Sequence, residues 1–310
     1  MKSWVLLFAC NLMWALQFTC IKLVEDKVGP LFTVWGPMFI ATVLLCPLVC
    51  AEAKNRPAME VPASGTHSFR SNLWLYGLLV LLGVFPGQML ITWGTRWTLA
   101  SNAALISLTL PACTALMAFV FLGERMTWVR WVSFALAIVG VVMCSGRDFA
   151  GFDLNRSNVL GNGLILLGNL GSAFYNSYGK KALERHSPLR MLFYTYVGML
   201  VLMLPFVIAQ ERDVFSRMPE FTARTWIGLG LLAFFHNFLS MVLFLKALKV
   251  LHAIQAALSN YLIFAFGVPI AVVWLGERLT PLGMAGGLLV LGSTLLITIW
   301  EDLRRVPAPA

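Results

Sequence analysis

"FLGERMT" (Phe121–Thr127) and "WLGERLT" (Trp274–Thr280) each close an apolar stretch of this chain, and they stand 153 residues apart. Each places a glycine, then a Glu-Arg pair, between two apolar runs. Charge is scarce in this sequence: 12% of its 310 residues are charged, 59% are hydrophobic, and the mean hydropathy is +0.80. A soluble domain carries about a quarter charged residues, so charges repeated in one setting point to an architecture used twice in lipid.

Apolar runs need about 17–25 residues to cross a bilayer as helices. Runs free of Lys, Arg, Asp and Glu cover Ser3–Ile21, Val28–Ala51, Ser71–Thr95, Trp97–Gly123, Ser157–Gly179, Met191–Gln210, Thr225–Leu245, Val250–Gly276 and Leu279–Trp300. A tenth, Trp131–Gly146, reaches span length if it begins near Thr127 and keeps Arg130 in its first turn, with the side chain snorkelling to the interface. The runs lack the period-2 alternation of barrel strands, so helices that satisfy their own backbone groups are expected. The N-terminal run is long and interrupted by polar residues, which reads as a retained first span rather than a signal peptide.

The net charge of +9 sits at span ends and gives no case for nucleic acid. Of 23 Lys and Arg, 14 fall on the side of Lys2 and 9 on the other, a bias that predicts both termini in the cytoplasm. Six cysteines, at 10, 20, 46, 50, 113 and 144, lie inside apolar runs without metal-type spacing. They read as small buried hydrophobes, with no metal, cofactor or disulfide framework implied.

The repeated motif belongs to a longer duplication. At the spacing of 153, "AAL" (Ala103–Leu105) matches "AAL" (Ala256–Leu258), and "YGLL" (Tyr76–Leu79) falls on "LGLL" (Leu229–Leu232). "NLMWALQFTCIK" (Asn11–Lys22) lies over "NLGSAFYNSYGK" (Asn169–Lys180) at a spacing of 158, the slip absorbed in a loop. The expected fold is an all-α polytopic membrane protein of ten transmembrane helices, two five-helix repeats over residues 1–150 and 151–310. Five is odd, so the second copy enters the membrane from the opposite side. That inverted plan is shared by many secondary transporters, whose halves rock about a midplane site.

The stretches "AALISLTLPACTALMAFVFLGERMTWVRWVSFALAIVG" and "AALSNYLIFAFGVPIAVVWLGERLTPLGMAGGLLVLG" resemble the repeat signature of the drug/metabolite transporter superfamily, EamA type, over essentially the whole chain. The second copy carries Phe264 where the first has Pro111, its proline displaced to Pro269. The resemblance implies an inner-membrane carrier, a cavity lined by helices 1, 3, 4, 6, 8 and 9, and export of amino acids or related metabolites. Nucleotide sugars, nucleobases or drugs are the alternative cargo, and a channel is the nearest rival. An enzyme is not expected: all 14 acidic residues lie in loops or at helix ends, with no clustered catalytic groups.

Polar residues inside spans are the candidates for the cavity, because amides facing lipid are costly. Asn11, Trp14, Gln17, Gln88, Trp93, Asn169, Tyr175, Tyr178, His236, Asn237 and Tyr261 form this set; hydrogen bonds between helices are the plainer reading for each. His236 titrates nearest neutrality and could take up a proton, whereas burial favours a neutral imidazole bonded to a neighbour. Glu124, Arg125, Glu277 and Arg278 are read as helix-junction groups, each carboxylate favouring the positive N-terminus of the next helix, with an ion gate closing opposite faces as the functional alternative. Gly83 with Gly87, and Gly283 with Gly287, are small-residue pairs for close helix packing; the second could also serve a homodimer.

Overall fold

A computed structural model describes residues 2–54, 69–122, 127–144, 156–183, 186–250 and 260–303. Among these residues the protein is all-helical. The chain runs through α1 (Lys2–Val24), α2 (Pro30–Lys54), α3 (Phe69–Leu78), α4 (Phe85–Trp97), α5 (Ala100–Ile106), α6 (Leu110–Leu122) and α7 (Trp128–Cys144). It continues through α8 (Arg156–Leu183), α9 (Pro188–Gln210), the short α10 (Val214–Arg217), α11 (Ala223–Leu231), α12 (Met241–Val250), α13 (Tyr261–Leu275) and α14 (Pro281–Leu303). Six helical runs among the described residues are long and apolar enough to cross a bilayer, and three shorter apolar helices accompany them. This is an integral membrane protein.

Helix α8 is long, at 28 residues, yet it is not among those six. Its Asn162, Asn169 and Asn176 recur every seven residues on one face, and its glycines add no apolar area. The glycines bring α4 and α8 together: a Cβ on Gly161 would stand 2.7 Å from the Gly94 carbonyl oxygen, so only glycine admits this approach. Helices α7 and α14 meet similarly, a Cβ on Gly140 falling 2.7 Å from the Gly286 carbonyl oxygen. Gly287 turns to Leu105 of α5, so the glycine face of α14 is covered within the chain.

Two stretches leave α-helical register. Leu79–Val84 and Leu232–Ser240 are π-helical and link α3 to α4 and α11 to α12. They begin 153 residues apart, at the spacing of the repeated sequence.

The "WLGERLT" segment resolves into three separate roles. Gly276 adopts φ 67°, the left-handed conformation that ends α13. Thr280 Oγ1 accepts the Gly283 N–H at 3.0 Å and so caps α14. Glu277, expected to serve this next helix, instead reaches 177 residues back to α5: its carboxylate accepts the Ala100 N–H (2.8 Å), the Ser101 N–H (2.9 Å) and the Ser101 hydroxyl (2.7 Å). A two-residue gap between α4 and α5 leaves those N–H groups unpaired, and a carboxylate satisfies them better than a hydroxyl. In the other copy Thr127 Oγ1 accepts the Arg130 N–H at 3.4 Å, the capping role of Thr280; Glu124 and Arg125 lie outside the described residues. Arg130 does not snorkel: it sits in the first turn of α7 and is buried.

A second carboxylate acts like Glu277. Glu211, after α9, accepts the N–H groups of Leu31 (3.0 Å) and Phe32 (2.8 Å) at the start of α2. Arg96 donates to the carbonyls of Val28 and Glu25, and Lys22 donates to the Arg96 carbonyl. One end of the molecule is therefore tied together by charged groups that bond to backbone.

Candidate functional site

A cavity of about 100 Å³ lies between the helices, room for about three waters at about 30 Å³ each. Helix α1 packs on α12 and α13, while α4 packs on α8, and these two groups supply opposite characters. From the first come Trp14, Gln17 and Phe18 of α1, His236 of the second π-stretch, Met241 and Phe244 of α12, and Ile263 of α13. Trp14 packs on Phe244 with ring centroids 4.8 Å apart, so this wall is chiefly apolar and aromatic. From the second come Gly83, Val84, Gly87, Gln88 and Ile91, with Asn169, Ser172, Tyr175 and Asn176 of α8. That wall is rich in neutral amides and hydroxyls. Ser107, Leu110 and Tyr196 also line it, and among the described residues no Lys, Arg, Asp or Glu takes part.

The lining is paired along the chain. At the spacings of 158 and 153, Trp14 corresponds to Ser172, Gln17 to Tyr175, Phe18 to Asn176, Gly83 to His236, Gln88 to Met241, Ile91 to Phe244 and Leu110 to Ile263, and both members of each pair line the cavity. Equivalent positions thus surround one space with unlike side chains.

Hydrogen bonding separates structural from unspent polar groups. Asn169 donates to the Ile106 carbonyl (3.0 Å) and to Thr109 Oγ1 (2.9 Å), joining α8 to the α5–α6 connection. Tyr196 donates to the Asn237 carbonyl at 2.7 Å, and Asn237 donates to the Leu232 carbonyl at 2.9 Å. Ser240 donates to the His236 carbonyl. The second π-stretch is thereby braced by side chains bonded to its carbonyls.

The imidazole of His236 is different. The residue is 5% exposed, and neither ring nitrogen meets a hydrogen-bond partner among the described residues; the neighbour expected to hold it is absent there. The indole N–H of Trp14 is likewise unpaired. Such buried groups cost about 1–3 kcal/mol each when left unsatisfied.

Of the eleven residues expected at a cavity, the structure brings six to it: Trp14, Gln17, Gln88, Asn169, Tyr175 and His236. Asn11 is buried away from it and donates to the Leu7 carbonyl of its own helix at 2.7 Å. Trp93 is exposed on the outer surface. Tyr178 stacks on Phe174, Asn237 is taken up by the π-stretch, and the side chain of Tyr261 lies outside the described residues. Sequence reading missed Ser107, Tyr196 and Phe244. The spacing of 153 from Ile91 could have found Phe244; Tyr196 carried no such signal.

The sequence profile of the EamA-like transporter family matches residues 1–146 and 159–299. A "probable terminal-alkyne amino-acid exporter" of Streptantibioticus cattleyicolor is 27% identical over 286 residues, covering 92% of this chain and 89% of that one. An "S-adenosylmethionine uptake transporter" of Rickettsia bellii is 24% identical over 265 residues, covering 85% and 81%. One solved structure superposes with a TM-score of 0.65 over 99% of both chains at 13% identity, a likeness of fold.

Proposed function

This chain belongs to the EamA-like transporter family, and on that premise we propose that it is a secondary carrier exporting amino acids or related small metabolites by alternating access. It is a transporter rather than an enzyme. The observation that carries the finer reading is the uncharged cavity between helices drawn from both halves of the chain. Ten spans in two inverted five-helix copies, over residues 1–150 and 151–310, would let the halves rock about that cavity in the cell (inner) membrane, with both termini in the cytoplasm. The paired lining positions and the matched π-stretches support this plan.

Cargo size and charge follow from the same space. The small space favours a small solute, and aromatic rings with neutral amides suit a zwitterionic one. A nucleotide sugar would want Lys or Arg in the lining, and a sulfonium such as S-adenosylmethionine would want a carboxylate. Export follows the amino-acid exporter among the relatives.

The test is counterflow in proteoliposomes loaded with mixed amino acids and common metabolites, each followed by mass spectrometry against empty liposomes. Saturable, protein-dependent exchange of a few compounds is the expected result. Flux that rises linearly with concentration, without counterflow, would make the protein a channel; no exchange by folded protein would overturn the reading.

A further inference from the structure

We infer that Gln17 of α1 and Asn176 of α8 are the solute-binding residues of this cavity: their carboxamides, one on each wall, hold the carboxylate and the ammonium group of a small amino acid with no net charge. The inference rests on the carrier reading and assigns the solute contacts within the same cavity.

The assignment follows from which polar groups of the lining are already spent. Ser107 donates to the Ala103 carbonyl at 3.0 Å, and Tyr175 meets Thr195 Oγ1 at 3.5 Å. Asn169 and Tyr196 are bonded across helices. The Trp14 N–H and the His236 nitrogens are unpaired but sealed by packing, so the cavity does not reach them. Gln17 and Asn176 fall in neither class. Both line the cavity, they are 7% and 8% exposed, and they make no hydrogen bond among the described residues. Their amide atoms are not among the sealed ones, so the little surface these residues keep presents them to the cavity. A buried amide is costly unless something bonds to it.

A second observation comes from the duplication. At the spacing of 158, Gln17-Phe18 lies over Tyr175-Asn176. Each copy sets a carboxamide beside an aromatic ring, in opposite order, and all four residues are buried and line the cavity. Asn176 is also held in place before any solute arrives. Its helix presses on glycines of the neighbouring run: a Cβ on Gly83 would stand 3.0 Å from Tyr175 Cβ, and one on Gly87 2.9 Å from Ser172 Oγ. That seating lowers the ordering cost of binding.

The chemistry of these groups defines the solute. A carboxamide offers two N–H donors and an acceptor oxygen, so one on each wall can donate to a carboxylate while the other accepts from an ammonium group. With no ionised side chain in the described lining, a solute of net charge would enter uncompensated. Lysine and aspartate are therefore disfavoured, and the small space makes alanine and serine the probes.

The experiment is counterflow of alanine and serine against lysine and aspartate in proteoliposomes, for wild type, Gln17→Leu, Asn176→Leu and Asn169→Leu, with the thermal midpoint of each. Wild type is expected to exchange alanine and serine at least about tenfold more efficiently than lysine or aspartate. Gln17→Leu and Asn176→Leu each lose a bond to a charged group and should each raise the half-saturation concentration about tenfold. Neither should lower the thermal midpoint, because neither amide bonds to the protein. Asn169→Leu, which loses two bonds between helices, should lower that midpoint by about 2–4 °C. An unchanged half-saturation concentration in either Gln17→Leu or Asn176→Leu overturns the inference and leaves the carrier standing. So does a midpoint lowered in them as far as in Asn169→Leu, a wild-type preference for lysine or aspartate, or exchange confined to other metabolites. Wild type that exchanges nothing overturns the carrier reading itself, and this inference with it.

Discussion

The two π-stretches, Leu79–Val84 and Leu232–Ser240, put the same backbone device at equivalent places and fill it differently. In the first, Gly83 yields its space to Tyr175; in the second, His236 keeps a ring against the cavity with both nitrogens unpaired. A π-turn widens a helix and spoils its register, a cost that persists where the displaced groups have a use. The comparison teaches that the backbone geometry recurs at the repeat spacing, while the side chains at that geometry are free to differ. An asymmetric cavity between similar halves is the result.

The largest effect should come from erasing the difference. Gly83→His would give both stretches the same residue, but its side chain must displace Tyr175, which packs against that position. Overpacking of this size costs about 3 kcal/mol or more. The expected outcome is a collapse in the yield of folded protein, read by size-exclusion in detergent; a normal yield would mean that Tyr175 has another place to go.

The junction motifs sharpen the comparison with smaller effects. Glu277→Ala leaves the Ala100 and Ser101 N–H groups unpaired and should cost about 2 kcal/mol in thermal stability. Thr280→Ala should cost about 1 kcal/mol, and Thr127→Ala less, because its bond to the helix is longer, 3.4 Å against 3.0 Å. A Glu277→Ala loss no larger than that of Thr280→Ala would show that the carboxylate does not carry the start of α5.

Which parts of this were legible in the sequence follows from what each depends on. Spans depend on composition, so α1, α2, α9 and α14 fall within a few residues of the expected runs. The expected duplication rests on identical residues at a fixed spacing. The roles inside "LGER" plus Thr were not, because they are settled by partners far away in sequence: the helix that Glu277 caps lies 177 residues upstream. Nothing in hydrophobic patterning signals an i→i+5 turn, and the polar or aromatic character that put both Gln88 and Trp93 in the expected set does not say which way a residue of a span faces. Gln88 reaches the cavity while Trp93, five residues on, faces outward. Asn11 shows the opposite limit: a buried amide in a span can be satisfied by its own helix.

The account stands on the two halves being inverted copies, and the repeated motif allows this to be measured. Arg125→Cys and Arg278→Cys, made singly in a background with the exposed Cys46 and Cys50 replaced by alanine, can be probed in cells with a membrane-impermeant maleimide, since the other four native cysteines are buried. Inversion predicts that Arg278→Cys labels in intact cells and Arg125→Cys only after permeabilisation. Labelling of both from the same side would contradict it.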